Sequence, residues 1–457
     1  MANQHLKGPR LGRAGLVAAL AIMVGWPANA QVQTADAPQQ WQSLNEQVIE
    51  IYRAGDYPKG APLAEEALRL ARQTFGDRGS QTLTSLNNLA RLYLAQSRYS
   101  EAEPLFREAL QARREVLGPR YPDTLLSLNN LAFFYSVQGH YAEAEPLLRE
   151  ALQATREVLG ARHPDTLASL NNLAFFYSAQ GHYDEAEQHY REALQASREV
   201  LGLIHPNTLS NLAALYVSQG HYGEAEPLNR EALQGRREVL GPRHPDTLES
   251  LNNLASLYDA QGRYGEAELL YREALQALRE VLGPRHPSTL LTLNNLALLY
   301  FPQGRYDQAE PLLREALQAR LEIFGSRHRD TLQSLNNLAG LYDSEGRYGE
   351  PEQLYREALQ AEREVLGSQH PQTLDTLSNL GSLYLNQGRR DEAEAPLREA
   401  LQARREVLGP RHPDTLISLN NLAALYHRQG RYGEAEPLYR EALQAQREVL
   451  GLAIWTR

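Results

Sequence analysis

One period constrains this chain more than anything in its composition. Thr-Leu pairs begin at Thr82, Thr124, Thr166, Thr208, Thr247, Thr289, Thr331, Thr373 and Thr415, a spacing of 42 residues broken once, by 39 between Thr208 and Thr247. One unit is therefore written nine times. A tenth, degenerate copy runs from about Trp41 to Gly76, where Asn45, Tyr52, Tyr57, Ala67, Leu68 and Gly76 echo the later ones. A length of 457 residues would suggest about three domains, but such a period overrides that count and points to stacked supersecondary units.

Each unit reads as two helices. In the last copy Leu416, Leu419, Leu422, Ala423 and Tyr426 recur at helical spacing. His412-Pro413-Asp414-Thr415 marks the start, with Asp or Thr available to cap the free amides. Gln429-Gly430-Arg431 ends this helix A, glycine supplying the positive φ of a tight turn. Helix B follows from about Tyr432 to Leu450, with Ala435, Leu438, Tyr439, Ala442, Leu443, Val449 and Leu450 as its apolar stripe and Pro437 near its start. Glu436 and Arg440 stand four apart on its solvated face, a pairing worth about 0.3 kcal/mol. Ala423 and Ala435 let the two helices approach closely. No hairpin of this kind buries its apolar stripes alone, so consecutive units must stack into a nearly one-dimensional all-α array.

The two ends read differently. Residues 1–30 have the form of an export signal: Lys7, Arg10 and Arg13, an apolar stretch from Leu16 to Trp26, then Ala28-Asn29-Ala30, which places cleavage after Ala30. The apolar run is short of the roughly 20 residues that span a bilayer, so the expected location is periplasmic or secreted, with an uncleaved anchor as the alternative and no span in the mature chain. The net charge of −10 becomes −13 once those three cations are removed. Such acidity does not suit a nucleic-acid partner. The chain has no cysteine, which excludes disulfides, thiolate metal sites and cysteine nucleophiles. The expected organisation is 1–30 signal peptide, 31–40 disordered lead-in, 41–76 degenerate hairpin, 77–451 nine repeat units and 452–457 tail. No polar capping helix follows the last unit, so that end is expected to be covered by a partner or by self-association.

Leu419, Leu422, Ala423, Tyr426, Ala435, Tyr439 and Ala442 resemble the tetratricopeptide-repeat signature. The units are eight residues longer than the 34 of that family, because helix B continues through Arg-Glu-Val-Leu-Gly in place of the usual closing proline. Units reading His-Pro-Asp-Thr-Leu, Leu-Asn-Asn-Leu-Ala and Gln-Gly-x-Tyr-x-Glu-Ala-Glu are similar to the repeats of kinesin light chains and their bacterial relatives. The resemblance covers roughly nine tenths of the chain. It implies a right-handed α-solenoid of about ten helix-turn-helix hairpins, whose A helices line a concave groove that binds a protein or an extended peptide. Chaperone-tail binders of the family add lysines and arginines that clamp a carboxylate; this sequence lacks those lysines.

Candidate contacts follow from that groove. An Asn-Asn pair recurs in mid-helix A although asparagine is a mediocre helix former, and its amide can donate to and accept from an extended backbone. The first residue of each pair, Asn87, Asn129, Asn171, Asn252, Asn294, Asn336 and Asn420, is expected to face the groove, the second to bond between hairpins. Beyond the pair the copies vary: Arg91, Phe133, Phe175, Ala214, Ser256, Leu298, Gly340, Ser382 and Ala424. Phe133 and Phe175 are candidate anchors for partner side chains, whereas Phe134 and Phe176 are expected to pack between hairpins.

Other recurrent groups carry no chemistry. The histidines at 163, 205, 244, 286, 328, 370 and 412 occur once per unit, whereas a zinc site needs three or four converging ligands. Glu434 and Glu436 repeat in near-identical surroundings, which cannot separate two carboxyl pKa values. No phosphate loop, nucleophile elbow or His-Glu-x-x-His helix occurs. The expectation is a non-catalytic scaffold without metal or cofactor; the alternative is a structural part of an envelope or secretion assembly joined through its C-terminal end. Three irregularities, the shortened copy at Thr208, Pro302 and Pro351, are expected to bend the array.

Overall fold

The computed structural model describes residues 37–201 and 206–449. The expected signal, most of the lead-in and the C-terminal tail lie outside them. Twenty α-helices and no strand occupy the described residues, in ten hairpins. The first helices of the hairpins are α1 (Ala37–Arg53), α3 (Ser80–Ala95), α5 (Pro122–Val137), α7 (Pro164–Ala179), α9 (Pro206–Gln219), α11 (Pro245–Ala260), α13 (Pro287–Leu299), α15 (Arg329–Ser344), α17 (Pro371–Asn386) and α19 (Pro413–Arg428). Their partners are α2 (Tyr57–Phe75), α4 (Tyr99–Leu117), α6 (Tyr141–Leu159), α8 (Tyr183–Leu201), α10 (Tyr222–Leu240), α12 (Tyr264–Val281), α14 (Tyr306–Phe324), α16 (Gly349–Val365), α18 (Arg390–Val407) and α20 (Tyr432–Val449).

The described residues form two compact units, one of 37–135 with 143–169 and the other of 136–142, 170–201 and 206–449. In each, leucines and small residues repeat the same packing. In the smaller unit Leu83, Leu86, Ala90, Ala102 and Ala109 are buried; in the larger, Leu419, Leu422, Ala423, Ala435 and Ala442 are. Ala423 and Ala435, at 0% and 2% exposed, are the close approach expected of them. A larger residue at either overpacks the seam by about 1–3 kcal/mol.

Helix starts differ in detail from the expectation. At α11, α13, α15, α17 and α19 the N-cap is the histidine itself, whose Nδ1 accepts from the backbone N–H two residues on. The threonine is not a cap. At α11, α13, α17 and α19 its hydroxyl donates back to the glycine that ends the preceding helix, as from Thr415 Oγ1 to Gly409 O at 2.8 Å, which ties those hairpins to the ones before them; Thr331 Oγ1 makes no such bond. Gly430, with φ of 77°, makes the turn after helix A as expected. The prolines at 104, 146, 227, 311, 396 and 437 sit inside their helices, in the second turn.

The irregularities resolve locally. In the shortened copy α9 has 14 residues where α11 has 16, and Thr208 changes role: it accepts a hydrogen bond from Asn171 Nδ2 at 2.9 Å, the place that Ser127 fills for Asn87. Pro302 stops α13 at Leu299 and a 3₁₀ turn, Phe301–Gln303, carries the chain on. Pro351 lies in the first turn of α16, which begins at Gly349 rather than at the tyrosine, so no mid-helix bend arises there.

Not all the turn histidines are simple surface turns. In the larger unit His370 Nε2 lies 2.9 Å from Val137 O, and His412 Nε2 lies 3.2 Å from Ala179 O. Gly139 and Gly181 pass so near that an added Cβ would meet Pro371 or His412 at 3.1 Å. Burial holds the His370 imidazole neutral, down to about 3.

Candidate functional site

Helix A of an inner hairpin is buried on all but one narrow face, because its own helix B, the next hairpin and the neighbouring A helices surround it. Beyond the first turn, α11 keeps Glu249, Asn253, Ser256 and Asp259 half-exposed, with Ala260 exposed at its end. The steps of four, three and three make one stripe. The corresponding stripes are Leu291, Asn295 and Leu298 on α13, continued by Phe301; Gln333 and Asp343 on α15, with Asn337 and Gly340 buried between them; Asp375, Asn379 and Ser382 on α17; and Ile417, Asn421 and Ala424 on α19. In the smaller unit α3 presents Thr84, Asn88 and Arg91. This is the surface that varies from copy to copy.

Within the asparagine pairs the expectation fails for most first members, which are buried, whereas second members do bond between hairpins. Asn87, Asn171, Asn252, Asn294 and Asn336 are only 5%, 8%, 6%, 2% and 3% exposed. Asn87 Nδ2 donates to Leu83 O and Ser127 Oγ, both at 3.1 Å, and Asn336 Nδ2 to Thr376 Oγ1 at 2.6 Å and Glu362 Oε1 at 3.0 Å. The second asparagine then donates back to the first of the preceding pair: Asn130 to Asn87 at 3.4 Å, Asn295 to Asn252 at 3.5 Å and Asn337 to Asn294 at 2.7 Å. The result is a structural ladder, each bond worth about 1 kcal/mol. Asn129, where the pair is flipped, is half-exposed, and Asn420 is exposed on α19. The second asparagines Asn88, Asn172, Asn253, Asn295 and Asn421 hold the half-exposed positions instead.

The variable positions lie on the half-exposed stripes or next to them. Arg91, Phe133 and Phe175 are half-exposed on their stripes; the Arg91 guanidinium sits 4.5 Å from the Tyr52 ring centre. Phe134 and Phe176 are buried at 0% and 1%. Phe134 packs on Phe106 at 5.7 Å and Phe176 on Tyr141 at 5.9 Å.

The electrostatics separate two kinds of acid. On the outer helices Glu310 is held by Arg314 at 2.8 Å and Arg347 at 3.3 Å, and the Arg347 guanidinium lies 4.0 Å over Tyr342, which bonds Glu310 in turn. The same Glu-Arg-Tyr-Arg cluster recurs around Glu268, whose carboxyl the Arg305 hydrogen bond pulls down to about 2. These clusters join consecutive hairpins, a role beyond the simple solvated face expected. On the stripes, Glu249 lies 3.8 Å from Arg236, and Asp375 is paired by Arg404. Burial pushes Asp259 up to about 6, and it also raises Asp343, which Asn386 partly offsets.

Beneath the stripes each unit has a buried helix-B position that spacing alone does not reveal, held by Arg113 in the smaller unit and by Arg236, Arg320 and Arg404 in the larger, each bonded to the serine of the next helix A. At that position of the repeat Glu362 stands alone as an acid. It is 0% exposed, accepts from Asn336 and Gln372 on Oε1 at 3.0 Å each, and leaves Oε2 unpaired, as Asn336 leaves Oδ1. Burial drives its carboxyl up to about 8. Recurrence of arginine at that one position of helix B was the available signal.

Among the described residues no group of three or more His, Asp or Glu side chains converges as a metal site, and no helix is long and apolar enough to cross a membrane.

These hairpins, with their small-residue seam and single free stripe, define an α-solenoid of the helical-repeat class. The chain belongs to the tetratricopeptide-repeat family, whose model matches in seven segments, 44–115, 123–199, 205–280, 270–321, 288–361, 345–406 and 386–448. A solved structure of a kinesin-light-chain protein from Podosopora anserina, with nearly identical TPR-like repeats, is similar at 27% identity over 45% of this chain and 98% of that one, with a TM-score of 0.38. BtubC of P. vanneervenii is similar at 24% identity over 52% of this chain and 93% of that one, TM-score 0.40. A Rap protein complexed with Competence and Sporulation Factor shares the fold at 15% identity over 81% of this chain and 99% of that one, TM-score 0.51. No curated protein matches the sequence.

Proposed function

We propose that the chain is a non-catalytic, exported scaffold that binds a protein or extended peptide along the helix-A stripes. The observation that carries this reading is the contrast between faces of helix A: its buried leucines, alanine and tyrosine recur from copy to copy, while the stripes differ from hairpin to hairpin, as a surface that reads one partner must. A Rap protein of the same fold is complexed with Competence and Sporulation Factor, which supports the mode of action. Export rests on the sequence of residues 1–30. Replacing Ser256 and Ser382 by Trp obstructs the stripe; a crosslinking pull-down from the exported fraction is expected to lose the partner, and retention by this variant refutes the reading.

The second reading, a part of an envelope assembly, is favoured by one observation. Tyr439 and Leu443 on α20 are 39% and 50% exposed, whereas Leu397 and Leu401, one repeat earlier, are 1% and 4% exposed. Self-association through that face predicts a larger solution mass than for a Tyr439→Lys, Leu443→Lys variant. Equal masses count against it.

A further inference from the structure

We propose that the stripes of α11, α13, α15 and α17 receive an extended basic segment of the partner, an apolar side chain seated on α13 and cationic side chains on either side reaching Asp259 and Asp343. The proposal rests on the groove-binding reading above and names the chemistry of its guest.

Three observations converge. First, the four stripes carry Glu249, Asp259, Asp343 and Asp375 and no lysine or arginine. Second, other acids are compensated: Glu310 and Glu268 have two arginines each, Glu249 faces Arg236, and Asp375 is paired by Arg404. Asp259 and Asp343 are left without a cation, although protein around them has displaced enough water to raise both carboxyls. A desolvated carboxylate without a counter-charge costs stability, and a guest cation recovers it. Third, these two acids hold the same place in hairpins two repeats apart, and at that place between them stands Phe301. Pro302 ends α13 there, and the Phe301 ring is half-exposed, edge-on to Tyr306 at 6.4 Å. With Leu291 and Leu298 it makes α13 the apolar stripe of the four.

The spacing sets the guest. Packed helices lie about 8–10 Å apart, so two steps from Asp259 to Asp343 are on the order of 20 Å. An extended chain of polyproline-II form rises about 3.1 Å per residue with about three residues per turn, so it covers that in about six residues with side chains three apart on one face and the apolar residue midway. The half-exposed amides of Asn253 and Asn379 remain for the guest's backbone.

The test uses the full chain and three fluorescein-labelled Gly/Ser peptides of about twelve residues: one with a central Leu and an Arg three positions to either side, a twin with Glu for Arg, and a third with both Arg but a central Gly. Fluorescence anisotropy is expected to show binding of the first, weakening with salt, loss of about tenfold for the third and no binding of the Glu twin. Asp259→Lys with Asp343→Lys is expected to lose the basic probe by about tenfold or more and to gain the Glu twin, a gain that only a folded variant can show. Preference of the wild type for the Glu twin, or unchanged affinity in the double variant, overturns the basic guest. If the Glu twin binds and Ser256→Trp with Ser382→Trp abolishes it, the groove reading stands and only the guest's charge is wrong. If no probe binds, the proposal fails; a partner captured equally by the Trp variant then removes the groove reading as well.

Discussion

Glu362→Gln should make this protein more stable, by an amount that pH controls. Glu362 sits fully buried between Asn336, Gln372 and Thr376, at a position of the repeat where four other hairpins keep arginine, with its carboxyl raised by burial from 4.5 to about 8. The folded state therefore holds this proton to a higher pH than the unfolded chain does, and the cost to stability builds as pH rises from 4.5 to 8. At about 1.4 kcal/mol per pH step the cost reaches about 3 kcal/mol at pH 7 and stays under about 1 kcal/mol at pH 5. Glutamine keeps an acceptor for the Asn336 and Gln372 amides and offers a donor where Glu362 Oε2 and Asn336 Oδ1 are both unpaired acceptors. Amide hydrogen exchange of α15–α17 reads this locally, which suits an array whose hairpins need not unfold together. Variant and wild type should exchange alike near pH 5, with the variant increasingly protected towards pH 8. Equal protection at both pH values, or a variant weaker at pH 8, would refute the assignment.

Asp259→Asn should stabilise the chain by about 1 kcal/mol at pH 7 after solvent screening, the gain shrinking as pH falls through 6 in urea titrations, because burial raises this carboxyl. Arg404→Ala removes bonds to Ser418, Ser378 and Asp414 O and strands Asp375; a loss of about 3–5 kcal/mol is expected in denaturant unfolding. Asn336→Ala should cost about 1–3 kcal/mol and Asn421→Ala little, since the first is buried in the ladder and the second half-exposed. The opposite ranking of midpoints would return the first asparagine to the groove. His370→Asn keeps an N-cap acceptor but gives up the contact to Val137 O. Because burial lowers this imidazole from 6.5 to about 3, its stabilisation is full above pH 6.5 and declines below it, so wild type should lose about 2 kcal/mol relative to the variant between pH 7 and 5.

The period, the hairpin, the alanine seam and the burial of Phe134 and Phe176 were legible in the sequence because each follows from spacing within a single unit. Which asparagine of a pair points inward was not. Neighbouring helix residues differ by about 100°, and the choice is made by the next hairpin, whose Ser127 or Thr376 supplies the partner. Capping by histidine went unseen for a similar reason: Asp and Thr are the stronger general caps, but here the threonine hydroxyl is drawn back to the preceding glycine carbonyl. The Thr-Leu register alone puts Thr208 at the start of a shortened helix. Phase counted back from Tyr216 puts it at the serine of the later copies, where Asn171 meets it. Arg91, Phe133 and Phe175 lie on the half-exposed stripe of helix A, because their place three residues beyond the second asparagine of the pair follows from helical spacing within one unit. The carboxylates that distinguish one hairpin's stripe from the next were overlooked, because recurrent acids elsewhere in the unit read as solvated surface.

Site-specific photocrosslinking tests the central claim most directly. A photoreactive phenylalanine analogue at Ser256 or Ser382, on the half-exposed stripe, is compared with one at Leu269 or Gln360 on the outer helices, where both side chains are exposed. The account predicts a discrete partner adduct from positions 256 and 382 and none from 269 and 360. Adducts confined to the outer positions would contradict it.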